Sequence, residues 1–107
     1  MIAYRIELKF TKTKLMRFIS HLDLMRLFER ATRRADLPIF LTQGFNPHPK
    51  ISIKRALKLG VASENEEAIF YLKEKINPEE FKSKLMGQLP DGIEIKDLKL
   101  IEIVVSS

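Results

Sequence analysis

Residues 4–10 read Tyr4-Arg5-Ile6-Glu7-Leu8-Lys9-Phe10, in which apolar and charged side chains alternate. A period of two is typical of a β-strand that buries one face and exposes the other. The apolar side chains would then face a core, while Arg5 and Lys9 would face the opposite side. The polar stretch from Thr11 to Lys14 predicts a turn that ends this strand.

The next predicted element is an amphipathic helix from about His21 to Ala35. Ser20 is a favourable N-cap, and Asp23 three residues later makes a variant of the capping box. Pro38 closes the helical stretch, because the residue before a proline avoids the helical conformation. One apolar stripe at helical spacing is formed by Leu24, Leu27, Phe28, Ala31 and Ala35.

The outer side of this helix is predicted to carry a row of positive charge, made by Arg26, Arg30, Arg33 and Arg34. The first three are spaced i, i+4, i+7, so they line one edge of the helix. The whole chain has 19 Lys and Arg against 14 Asp and Glu, a net charge of +5. An excess of this kind favours a polyanionic partner, either nucleic acid or an anionic membrane.

After a short extended piece at 39–42, a proline-rich loop reads Gln43-Gly44-Phe45-Asn46-Pro47-His48-Pro49-Lys50. Two prolines and a glycine exclude regular structure, and each proline holds the residue before it extended. We therefore expect a stiff, shaped loop.

Further along the chain, the pattern predicts a strand at 51–54, a turn over 62–65 and a strand at 68–73. Asn77 and Pro78 mark the start of a second helix, and an apolar strand follows from 93. The order βαββαβ predicts an α+β, ferredoxin-like sandwich, in which an antiparallel sheet carries two helices on one face. The length predicts a single domain over residues 1–107.

Composition excludes several classes of chemistry. The chain has no cysteine, so it forms no disulfide and holds no cysteine-ligated metal or cluster; this suits the cytoplasm. No apolar run approaches the roughly 20 residues that span a bilayer, so we expect no transmembrane segment. Of the two polyanionic partners, we expect nucleic acid and no membrane. Neither a phosphate-binding loop nor a dinucleotide motif is present, and we expect no cofactor.

The residues that fit RNA best are hydrogen-bonding and aromatic groups on the stiff loop, with arginines nearby to hold phosphates. The candidate RNA-binding residues are Arg17, His21, Arg26, Arg30, Arg33, Arg34, Gln43, Phe45, Asn46, His48 and Lys50. The residues expected to shape these segments are Ser20, Asp23, Gly44, Pro47 and Pro49.

Two other interpretations use the histidines. His21 and His48 would be the acid and base of a metal-independent endoribonuclease if both reached one phosphate. His21, Asp23 and His48 have the right ligand types for zinc or iron, but no paired spacing supports a metal site, so we expect none.

Two segments resemble a known family. Residues 15–26, Leu-Met-Arg-Phe-Ile-Ser-His-Leu-Asp-Leu-Met-Arg, and residues 43–49, Gln-Gly-Phe-Asn-Pro-His-Pro, resemble the bacterial radical SAM-linked, or radical SAM-associated, domain family. The likeness runs from near Tyr4 through Val61 and continues afterwards only in pattern. The positions it implies are Arg17, Ser20, His21, Asp23, Arg26, Gln43, Gly44, Asn46, Pro47, His48 and Pro49.

Members of that family are often fused to, or encoded beside, radical SAM enzymes. The resemblance implies an accessory role beside an enzyme that modifies RNA, either tRNA or ribosomal RNA. A protein-interaction domain that docks on the radical SAM partner is the alternative that it leaves open. Members are also longer, so the resemblance implies a short form or a part of a longer protein.

Overall fold

The molecule is built on one antiparallel sheet covered by two helices. A computed structural model describes residues 2–54 and 60–104. The strands are β1 (Ile2–Lys12), β2 (Ile51–Ile53), β3 (Ser63–Leu72) and β4 (Ile95–Val104), and the helices are α1 (His21–Arg34) and α2 (Pro78–Met86). The sheet has the order β2-β3-β1-β4, and a short 3₁₀ helix, Lys14–Phe18, joins β1 to α1. The predicted α+β, ferredoxin-like sandwich is confirmed.

One face of the sheet is apolar across the strands. Ile6 of β1 lies directly between Phe70 of β3 and Leu100 of β4. Residues directly opposite in an antiparallel pair share a face, so the period-two pattern of one strand continues into its neighbours. Both helices pack on this face: Phe28 of α1 and Phe81 of α2 are fully buried, and each ring contacts Phe70 edge to face.

Both helices start at the caps that the sequence predicts. The Ser20 hydroxyl accepts a hydrogen bond from the backbone N–H of Asp23 at 3.1 Å. The Asn77 side-chain oxygen accepts from the N–H groups of Glu79 and Glu80 at 2.8 and 3.3 Å. These bonds satisfy donors that the first helical turn leaves without an internal partner.

Two predicted turns are wrong in part. β1 continues through Lys12, which pairs with Ser63, so Thr11 and Lys12 belong to the strand and not to a turn. β3 begins at Ser63, so three of the four residues predicted as a turn at 62–65 are extended. In both places, pairing between distant segments overrides a polar composition that favours turns.

Candidate nucleic-acid interface

The proline-rich loop forms a closed hairpin on the edge of the sheet. Its stem begins at Phe40 and ends at Lys50, the residue before β2, and the Lys50 N–H donates to the Phe40 carbonyl at 2.8 Å. Both of these residues bond to Tyr71 of β3: the Phe40 N–H donates to the Tyr71 carbonyl at 2.8 Å, and the Tyr71 N–H donates to the Lys50 carbonyl at 3.1 Å. Residues 41–49 are therefore inserted between two residues, Phe40 and Lys50, that both pair with the same residue of β3.

Hydrogen bonds and prolines hold the hairpin in shape. Across its upper part, the Thr42 N–H donates to the His48 carbonyl at 2.9 Å, and the His48 N–H donates to the Thr42 hydroxyl at 3.2 Å. Below them, Leu41 and Pro49 form an antiparallel bridge. The tip beyond these bonds is exposed and carries Gln43, Gly44, Phe45, Asn46 and Pro47.

The hairpin stem lies beside the C-terminal half of α1. Arg33 and Thr32 line a shallow cleft together with Leu41 and Pro49 of the stem. Lys73, just after β3, and Asp36 line the same cleft. The structure therefore brings the hairpin together with Arg33 and adds Lys73, a cation that no sequence pattern had indicated.

The other arginines of α1 are also exposed but do not line this cleft. Arg30 and Arg34 lie within one turn of Arg33, whereas Arg26 is two turns nearer the N-terminus and pairs with Asp23 at 3.7 Å. Arg17 lies in the 3₁₀ helix, where its guanidinium stacks 4.7 Å from the centre of the Phe18 ring. The positive face is thus densest at the hairpin end of α1.

The two histidines lie at different ends of α1. His21 is its first residue, about 18 Å along the helix axis from Arg33 at 1.5 Å per residue, while His48 belongs to the hairpin beside Arg33. This separation does not favour a shared phosphate between them. Within residues 2–54 and 60–104, no group of three or more His, Cys, Asp and Glu side chains is placed to hold a metal ion.

The uncovered face of the sheet carries mixed charge. Lys9 lies directly between Glu67 of β3 and Asp97 of β4, and Glu67 also pairs with Lys54 at 3.6 Å. Glu7 is the neighbour of Lys9 on this face of β1, and it pairs with Arg5 at 2.9 Å. Opposite charges alternate across the strands, so this face has little excess charge to attract a polyanion.

A buried charged pair, Lys12 and Glu66, lies where the end of β1 pairs with the start of β3. Lys12 is 1% exposed and Glu66 is 2% exposed. Burial lowers the pKa of Lys12 because it disfavours the charged amine, and the nearby Glu66 carboxylate opposes that shift. The Glu66 carboxylate also accepts a hydrogen bond from the Ser63 hydroxyl at 2.8 Å. Lys12 follows Phe10 by two residues, so the strand period was the signal that could have identified it as buried.

A cluster of exposed apolar side chains lies at the opposite end of α1 from the hairpin. Leu15 and Phe18 of the 3₁₀ helix and Leu22 of α1 are each at least half exposed. Phe18 lies next to Gly60, whose N–H donates to the Arg17 carbonyl at 2.7 Å. We call Leu15, Phe18 and Leu22 the apolar cluster.

Neither helix in the described part of the chain is long and apolar enough to cross a membrane. Comparison of the chain with curated proteins and with solved structures finds no match. One family model does match, covering residues 5–107, and its description, "Uncharacterized protein conserved in bacteria (DUF2344)", names neither an activity nor a partner. The radical SAM association therefore stays a prediction. Because the match spans nearly the whole sequence, this chain belongs to the DUF2344 family of proteins conserved in bacteria.

Proposed function

We propose that this chain is a non-catalytic RNA-binding module that presents RNA to a modifying enzyme. The observation that carries the proposal is the juxtaposition of the exposed hairpin with Arg33 and Lys73. Hairpin side chains supply aromatic and hydrogen-bonding groups, and the adjacent cations supply phosphate contacts. Single-stranded segments and loops of RNA are recognised by this combination.

Charge distribution supports the helix and hairpin side as the binding face. The exposed arginines of α1 lie there, whereas opposite charges alternate across the open sheet face. Association with RNA is driven by release of counterions from neutralised phosphates, which requires local excess positive charge.

The enzyme that we propose as partner is a radical SAM enzyme acting on tRNA or ribosomal RNA. Support comes from the resemblance of residues 15–26 and 43–49 to the radical SAM-linked family. The absence of cysteine requires that the iron–sulfur cluster of such an enzyme be ligated elsewhere, on a separate polypeptide or domain. Residues of this chain would position the substrate only.

Two alternatives use different parts of the molecule. A protein-docking module would use the apolar cluster and would form a complex with the radical SAM partner without nucleic acid. An endoribonuclease would need His21 and His48 at one phosphate, which their positions at different ends of α1 do not favour.

A salt titration tests RNA binding. Labelled tRNA and a labelled single-stranded RNA are titrated by fluorescence anisotropy at two salt concentrations in EDTA. We expect the affinity to fall steeply with salt, and the Arg30→Ala, Arg33→Ala double variant to bind more weakly. Its log–log salt slope should be shallower by about 0.7 for each phosphate of a single strand that the variant no longer neutralises.

The matched control removes two positive charges from β4, with Lys96→Ala and Lys99→Ala. Affinity that is insensitive to salt, or an equal loss in both double variants, would count against the proposal. RNA cleavage in EDTA that disappears in His48→Ala would support the endoribonuclease instead.

A further inference from the structure

Phe45 at the hairpin tip is the most exposed aromatic side chain of the described residues, with a relative exposure of 104%. Four other phenylalanines, Phe10, Phe28, Phe70 and Phe81, are buried in the core. A ring that is left wholly in water keeps its entire apolar surface available for a ligand.

We propose that Phe45 stacks against an unpaired nucleobase, so that the ligand class is single-stranded RNA and not a duplex. This inference rests on the proposed function and specifies its ligand. Bases in a duplex are already stacked on each other, whereas unpaired bases are free to stack on aromatic side chains. The phosphates beside the stacked base would lie against Arg33 and Lys73, which line the cleft at the foot of the hairpin.

The backbone around Phe45 suits this role. Gly44 has φ of +126°, a conformation that favours glycine, and an added Cβ there would meet no atom within 4 Å apart from its chain neighbours, so the tip is not packed against the rest of the chain at this residue. Stem hydrogen bonds between Thr42 and His48 fix the base of the tip, and the ring of Pro47 fixes its own φ. A tip that is held in shape loses little conformational entropy when it binds.

Neighbouring groups provide hydrogen bonds for the edge of the base. Asn46 and His48 are both exposed on the hairpin. The His48 Nδ1 atom lies 3.3 Å from the Pro49 carbonyl oxygen, which orients the imidazole ring. The ammonium of Lys50 is already engaged by the Tyr71 ring, whose centre lies 4.7 Å away. The phosphate contacts are therefore assigned to Arg33 and Lys73.

The test uses a short single-stranded RNA that contains 2-aminopurine, whose fluorescence falls when the base stacks on an aromatic ring. We expect quenching with the unaltered chain, no quenching with Phe45→Ala, and recovery with Phe45→Trp. Loss of one stacked base should weaken binding roughly 5- to 150-fold. Leu15→Ala, which removes an exposed apolar side chain at the other end of α1, should leave both the quenching and the affinity unchanged.

A duplex of the same sequence should bind more weakly and be insensitive to Phe45→Ala. Salt-sensitive RNA binding with quenching unchanged in Phe45→Ala would overturn this inference and leave the proposed function intact. Absence of binding to any RNA would overturn both. Co-sedimentation with phosphatidylglycerol vesicles that is lost in Phe45→Ala, with RNA binding unaffected, would assign the ring to a lipid surface and overturn the stacking role.

Discussion

Replacing Phe28 by alanine is expected to lower the free energy of unfolding by about 3 to 5 kcal/mol. The Phe28 ring is fully buried and contacts two others edge to face, with ring centres 5.1 Å from Phe10 and 5.5 Å from Phe70. Alanine removes the burial of the ring, both aromatic contacts and the support between α1 and the sheet. A domain of this size has a total stability of about 5 to 15 kcal/mol, so the variant should lose a large fraction of it.

Denaturant unfolding followed by circular dichroism measures this loss, and Phe45→Ala is the matched control. Both variants delete the same atoms, but the Phe45 ring is fully exposed, so its removal should change the free energy of unfolding by less than about 0.5 kcal/mol. Equal midpoints for the two variants would show that Phe28 does not occupy the core between α1 and the sheet.

A second large effect is expected at Gly92, where alanine should destabilise the fold by roughly 2 to 4 kcal/mol. Gly92 has φ of +98°, and an added Cβ would lie 2.4 Å from the backbone carbonyl oxygen of Thr13. The Gly92 carbonyl also accepts hydrogen bonds from the Thr11 hydroxyl at 2.8 Å and the Thr13 N–H at 3.0 Å. The backbone at Gly92 therefore cannot move away from Thr13 without breaking the hydrogen bonds that join the segment before β4 to the end of β1.

Gly44→Ala separates the two causes of the stability loss at Gly92, which are the positive φ and the close approach to Thr13. Gly44 has a positive φ as well, but open space surrounds its Cβ position, so alanine there should carry only the conformational cost of about 1 to 2 kcal/mol. Thermal unfolding of both variants measures the difference. A Gly92→Ala midpoint at or above that of Gly44→Ala would contradict the close approach to Thr13.

Local signals in the sequence predicted the elements that local interactions stabilise. The period-two pattern of β1 and the caps at Ser20 and Asn77 are short-range features, and each is confirmed. The predicted turns failed at Lys12 and Ser63 because those two residues pair with each other across 51 positions of sequence. The polarity of a side chain gives no information about pairing with a distant segment.

The hairpin likewise has one feature that local sequence predicted and others that depend on long-range contacts. Its prolines predicted a stiff loop, but its attachment to the sheet depends on the hydrogen bonds that Phe40 and Lys50 make with Tyr71, which are long-range. Lys73 could not be predicted for the same reason, since only the packing of β3 against the hairpin brings it near Arg33. The helical spacing of the arginines correctly predicted an exposed row, but it held no information on which of them would lie beside the hairpin.

We propose that RNA binds where the hairpin meets the C-terminal half of α1. Amide chemical-shift mapping by NMR, with an isotope-labelled chain titrated with single-stranded RNA, locates the binding face. We expect the largest shifts at residues 43–46, at His48, at Arg33 and at Lys73. Largest shifts at Glu7, Lys9 and Lys99 on the open sheet face, or at the apolar cluster, would contradict it.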